Sequence, residues 1–175
     1  MNREAETLSL LERLLQGQLD GYRRLLETVE RQRTAIRTAD GAMLEQATRE
    51  EDRIVRALSG LEQQRAQAFA QLQKRWLPQE RRSATLAHLL HAAPAQSLDA
   101  ARQARLSALA DRLRQAIESA KHSASVVRSA AETLSRHIAG IQQTVHSALS
   151  RAGVYGRRGK LALGAATPAA LDLKS

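Results

Sequence analysis

The sequence predicts an all-α protein, an elongated antiparallel three-helix bundle or coiled coil with a short connector helix and a flexible C-terminal tail. Residues that lose little free energy on entering a helix dominate the composition, whereas aromatic residues make up only 2%. Prolines occur only at Pro78, Pro94 and Pro168. Apolar residues recur at alternating spacings of three and four, which is typical of helices that pack against one another.

The first predicted helix covers residues 3–38. Its apolar seam consists of Leu8, Leu11, Leu15, Tyr22, Leu25, Val29 and Ile36, with Gln18 and Gln32 in the gaps. Leu14, Leu19 and Leu26 widen this stripe on one side, as expected for a helix that contacts two neighbours. The pattern therefore favours a bundle over a two-stranded coiled coil.

The second predicted helix covers residues 40–76, and Asp40 before Gly41 is a candidate N-cap. Its seam consists of Leu44, Ala47, Ile54, Leu58, Leu61, Ala68 and Leu72. Glu51 and Arg65 interrupt the seam. We expect both charged side chains to reach solvent or to pair with a neighbouring helix.

Residues 77–96 are predicted to form a connector. Pro78 can occupy the first position of a short helix, which Pro94 stops. The third helix is predicted over 97–151, with Ser97 as a cap and Asp99 in its first turn. Residues 1–151 would then form one helical bundle domain, followed by a basic tail over residues 152–175.

The third helix is predicted to be longer than its partners, so its carboxyl end should extend past them unless it bends near Ser123. Such an extension leaves an apolar stripe without a partner and makes that stripe a candidate binding surface. The stripe consists of Val127, Leu134, Ile138, Ile141, Val145 and Leu149.

The tail begins with the sequence RAGVYGRRGK, in which glycines alternate with basic residues around Tyr155. The chain carries a formal net charge of +9, and the basic excess grows towards this end. Glycine-rich, basic segments are poorly held by a helical core. Tyr155 is therefore expected either to dock on a partner or to fold back onto the end of the bundle.

No constellation in the sequence supports catalysis. The absence of cysteine excludes a thiolate nucleophile and a disulfide framework. GVYGRRGKL departs from a phosphate-binding loop because Val154 and Leu161 stand where glycine and a hydroxyl are needed. His88 and His91 share a helical face, but no third ligand is near in sequence. We expect no enzyme activity, no metal and no cofactor.

Neither a secretory signal nor a membrane span is expected. The amino-terminal apolar pattern contains glutamates, and the longest stretch without formal charge, residues 83–98, is shorter than the roughly 20 apolar residues that cross a bilayer. We expect a cytoplasmic protein that does not insert into membranes.

Three segments carry a resemblance to a known family. LLERLLQGQLDGYRRLLETVERQRTAIRTAD is similar to the opening helix of the FlgN-type flagellar export chaperones, and MLEQATREEDRIVRALSGLEQQRAQAF resembles their second helix. VYGRRG resembles the tyrosine-glycine element that follows their last helix. These chaperones are small helical proteins that hold hook-filament junction subunits before type III secretion.

The resemblance implies that the chain binds hook-associated proteins through the carboxyl half of its third helix. It also implies that Tyr155, with Gly156 and Gly159, docks on the cytosolic domain of the export gate. A homodimer is a further partner that the apolar stripe allows. The alternatives are a self-associating coiled-coil scaffold and, less favoured, a nucleic-acid binder that uses the basic tail, which offers one aromatic where such binders usually stack several.

Overall fold

The computed structural model describes residues 3–80, 84–94 and 98–154, with side chains described up to residue 150. These residues form four helices, α1 (Arg3–Thr38), α2 (Gly41–Trp76), α3 (Leu86–His91) and α4 (Ala100–Val154). The chain divides into two compact units, Met1–Ala130 and Ala131–Ser175. Because every regular element in the described ranges is a helix, the predicted all-α class is confirmed.

A tight turn joins α1 to α2. The Asp40 N–H donates to the Ala35 carbonyl (2.9 Å) and the Ala39 N–H donates to the Ile36 carbonyl (3.3 Å), the pattern of a Schellman motif. Ala39 adopts a φ of 54° to close it. The Asp40 side chain then accepts from the Met43 N–H (2.9 Å), which confirms the predicted N-cap. The two helices are therefore held antiparallel.

Two glycines let α1 and α2 approach closely. A Cβ atom added at Gly21 would lie 2.6 Å from Leu58 Cδ2 and 3.1 Å from Leu58 Cγ, well inside van der Waals contact. A Cβ at Gly17 would lie 3.5 Å from Leu61 Cδ1, which is an ordinary contact. The missing side chain at Gly21 thus makes room for the buried Leu58.

Polar side chains set the register of this pair. Buried Gln18 donates from Nε2 to Glu62 Oε2 (2.6 Å), and buried Gln32 donates to Glu51 Oε2 (2.6 Å). Arg65 donates from Nε to the same Glu62 oxygen (2.9 Å). The hydrogen bond from Arg65, aided by Gln18, holds the pKa of Glu62 below its usual value although burial opposes this. Glu51 pairs with the neighbouring helix α1, as expected, whereas Arg65 pairs with Glu62 of its own helix.

The main core lies among α1, the end of α2, α3 and the first part of α4. The contributing buried side chains are Leu8, Leu11, Leu15, Leu19, Leu72, Leu89, Leu90, Leu98, Leu106 and Leu113. Outside this cluster, Arg102 donates from Nη2 to Ser9 Oγ (2.7 Å) and its Nε lies 3.6 Å from Glu12 Oε2. Within this unit α4 therefore packs beside α1 and runs in the same direction.

The boundaries of the last two helices differ from the predicted ones. Pro78 lies in a turn that the Glu80 N–H closes onto the Leu77 carbonyl (3.0 Å), so the short helix begins only after the Thr85 N-cap. Asp99 accepts from the Arg102 N–H (2.6 Å), and α4 begins at Ala100 instead of residue 97. Ser97 lies outside the described residues. At its other end α4 continues past residue 151 to Val154.

Replacing Ala39 with glycine should raise the free energy of unfolding by about 1 kcal/mol, because glycine adopts positive φ without the steric cost that alanine incurs. Urea denaturation followed by circular dichroism measures the change. Ala57→Gly, at an exposed position in the middle of α2, is the control and should lower stability by a similar amount. A loss of stability in Ala39→Gly would contradict the assigned turn.

Gly17→Ala and Gly21→Ala should differ, although both replace glycine inside α1. Alanine at residue 17 should raise the unfolding free energy by up to about 1 kcal/mol through helix propensity. Alanine at residue 21 must displace buried Leu58, and such overpacking typically costs about 1–3 kcal/mol. The same urea denaturation measures both variants. An equal rise in the free energy of unfolding would show that the helices are not closely packed at Gly21.

Candidate partner-binding surface

An apolar stripe in the second unit is open to solvent. The exposed fractions are 40% for Leu134, 47% for Ile138, 54% for Ile141, 52% for Val145 and 67% for Leu149. The five residues follow one another at spacings of four, three, four and four, so they lie along one face of α4. We call these five residues the α4 stripe. Large apolar side chains left in water along one face mark an interaction surface.

This part of α4 is helical and its hydroxyl side chains bond to the helix backbone. Alanines recur along it and no proline interrupts it. Thr144 donates from Oγ1 to the Gly140 carbonyl (2.9 Å), and Ser147 donates from Oγ to the Thr144 carbonyl (2.9 Å). Such bonds satisfy the hydroxyl groups on the helix's own backbone. The exposed apolar side chains of the α4 stripe are therefore presented on a regular helical backbone.

Val127, the first residue of the predicted binding set, lies in the first unit and is half-buried. It borders a cleft of about 190 Å³ between α1 and α4. The cleft is lined by Val29, Glu30, Arg33, His122, Ser123, Val126 and Val127. Val126, which the seam pattern does not include, is 43% exposed. The structure therefore partly covers Val127, in contrast to the α4 stripe.

The remaining predicted site residues, Tyr155, Gly156 and Gly159, lie outside the described residues. Their docking role stays a prediction. The binding role of the α4 stripe, whose side chains are exposed, likewise stays a prediction.

The histidine pair has a neighbour that sequence spacing did not reveal. His88 Nδ1 lies 3.8 Å from Glu80 Oε2, because the turn at Pro78 brings the carboxylate back towards α3. Across residues 3–80, 84–94 and 98–154, no group of three or more potential metal ligands comes together. Nor does any helix in these ranges combine the length and apolarity needed to cross a membrane.

Comparison with known proteins identifies the family. The family described as FlgN protein matches residues 1–162, which include all four helices and the VYGRRG element. No curated protein and no solved structure shows a significant match. The matched region contains the α4 stripe, and the resemblance found in the sequence is confirmed. The chain belongs to the FlgN family of flagellar export chaperones.

Proposed function

We propose that the chain binds hook-associated proteins, the subunits of the hook-filament junction, in the cytoplasm and delivers them to the flagellar type III export apparatus. Membership of the FlgN family supports a chaperone role in flagellar export. The observation that carries the proposal is the α4 stripe, five large apolar side chains between 40% and 67% exposed. No catalytic step is part of this function.

The client-binding surface is proposed to comprise the α4 stripe together with Val127. An amphipathic helix of the client would lay its own apolar face against these side chains, as in other helix-in-groove complexes. Full burial of a Leu, Ile or Val side chain contributes about 1.5–3 kcal/mol. The side chains of the stripe are already partly covered, so each contributes only part of that amount towards a cost of association of about 4–15 kcal/mol. Burial of the α4 stripe is thus proposed as the main favourable contribution to a reversible complex.

Delivery is proposed to depend on Tyr155, with Gly156 and Gly159 on either side of the paired arginines. The support is the match of the family through residue 162 and the resemblance of VYGRRG to the family's docking element. Client binding and gate docking would then use different parts of the chain. The two activities should be separable by mutation.

Replacing both Ile138 and Ile141 with serine should weaken binding of a hook-associated protein at least about tenfold, because two apolar side chains no longer become buried. Co-expression and pull-down, followed by calorimetry on the purified complex, measure the loss. Val55→Ser is the matched control, since Val55 on α2 has the same exposed fraction as Ile138, 47%. It should leave client affinity unchanged.

Two outcomes would contradict the client-binding proposal. Equal affinity for the client in the wild type and the double variant would show that the α4 stripe is not the binding surface. A self-associating scaffold would be favoured if the pull-down recovers no client and the molecular mass of the wild-type protein rises with protein concentration. The mass of the double variant should then stay constant.

Tyr155→Ala should abolish recovery of the cytosolic domain of the export gate while leaving client binding intact. Tyr155→Phe should retain docking if the ring supplies most of the contact area. Pull-down with the purified gate domain and with a hook-associated protein, in parallel, provides both readouts. Unchanged gate binding in the alanine variant would place docking elsewhere on the chain.

A further inference from the structure

The second unit presents its apolar stripe in a setting almost free of charge. Charged residues make up 26% of the chain, yet over residues 131–150 the formal charges are those of Glu132 and Arg136 alone. From His137 to Ser150 no side chain carries a formal charge at pH 7. A solvent-exposed helix normally carries charged residues on the faces away from its apolar stripe.

The spacing shows which positions would border a partner helix. Ala131, Leu134, Ile138, Ile141 and Val145 alternate strictly at three and four residues, the period of a left-handed coiled coil. The positions that flank this seam between Leu134 and Val145 are Ser135, His137, Gln142 and Thr144, all of them exposed. In most coiled coils these flanking positions hold charged residues that select the partner. Here they hold none.

The first unit shows the contrasting arrangement. There, Glu62 and Glu51 of α2 accept hydrogen bonds from Gln18 and Gln32 of α1, so charged carboxylates help to fix the register of the pair. The same chain therefore uses carboxylates where two of its own helices meet and omits them where the α4 stripe is exposed.

We propose that this segment of α4 selects, by the neutrality of its flanks, a client helix whose seam is apolar and whose flanking side chains are uncharged. The inference rests on the proposed chaperone function and adds the chemistry of the partner. A charged side chain at a client's flanking position would lose hydration on docking and find no opposite charge. An uncharged one would lose little, so the complex depends on apolar burial and is insensitive to salt.

The test uses the full chain and each hook-associated protein of the source organism. Calorimetric titration measures the dissociation constant at about 50 mM and at about 500 mM NaCl. The higher concentration shortens the screening length to a few ångströms, and the two dissociation constants should differ less than about threefold. Gln142→Glu should weaken binding about tenfold, because it places an unpaired charge beside the seam. Gln143→Glu, one residue along and on the opposite face, should change affinity less than about twofold.

The two glutamate variants differ only in the face that carries the charge, so effects on helix propensity and on the helix dipole are matched. Equal losses in both, or binding that weakens more than about tenfold with salt, would overturn the neutral-flank proposal while leaving the chaperone function standing. Failure of every hook-associated protein to bind at either salt concentration would overturn both. Concentration-dependent dimerisation that Gln142→Glu abolishes would identify a second copy as the occupant and likewise overturn this proposal.

Discussion

The close packing of α1 against α2 is the constraint on which the first unit depends. Leu58 packs against Gly21 at a distance that a Cβ atom at residue 21 would prevent. Buried Gln18 and Gln32 of α1 donate hydrogen bonds to carboxylates of α2 and so fix the register of the two helices. A hairpin held in one register lines up the leucines of α1 with Leu72 near the end of α2. Leu106 and Leu113 of α4 bury against this platform. Loosening the hairpin would therefore remove the surface on which α4 and α3 pack.

α4 supplies two kinds of surface from one pattern. In the first unit it buries the large side chains of Leu106 and Leu113, and around Ser123 and Ala124 the seam residues become small. In the second unit the large residues return, but they are exposed. Small residues bury less area and so contribute less stability. The same three-and-four spacing thus buries side chains in one part of the helix and leaves them exposed in another, where we propose that a partner binds.

The α4 stripe contains five of the eight large apolar side chains that are exposed in the described part of the chain. His88 and Glu80 form an ordinary surface contact, and the cleft beside Val127 is small. The α4 stripe combines a regular helical backbone with exposed apolar side chains, which the proposed client would cover on binding and expose again on release. Uncharged flanking residues would make that release independent of salt concentration, because salt screens charges and not apolar contacts.

Helical propensity and spacing, which are local properties, were sufficient to predict the all-α class, the α1–α2 turn with its Asp40 cap and the position of the α4 stripe. The tertiary structure decided which partners the polar residues find, such as Gln32 for Glu51. It also decided that Val127 is half-buried whereas Ile138 remains exposed. It also decided that Pro78 forms a turn that carries Glu80 to His88. These outcomes depend on contacts between residues far apart in the chain, and a spacing pattern contains no information about which face meets which neighbour.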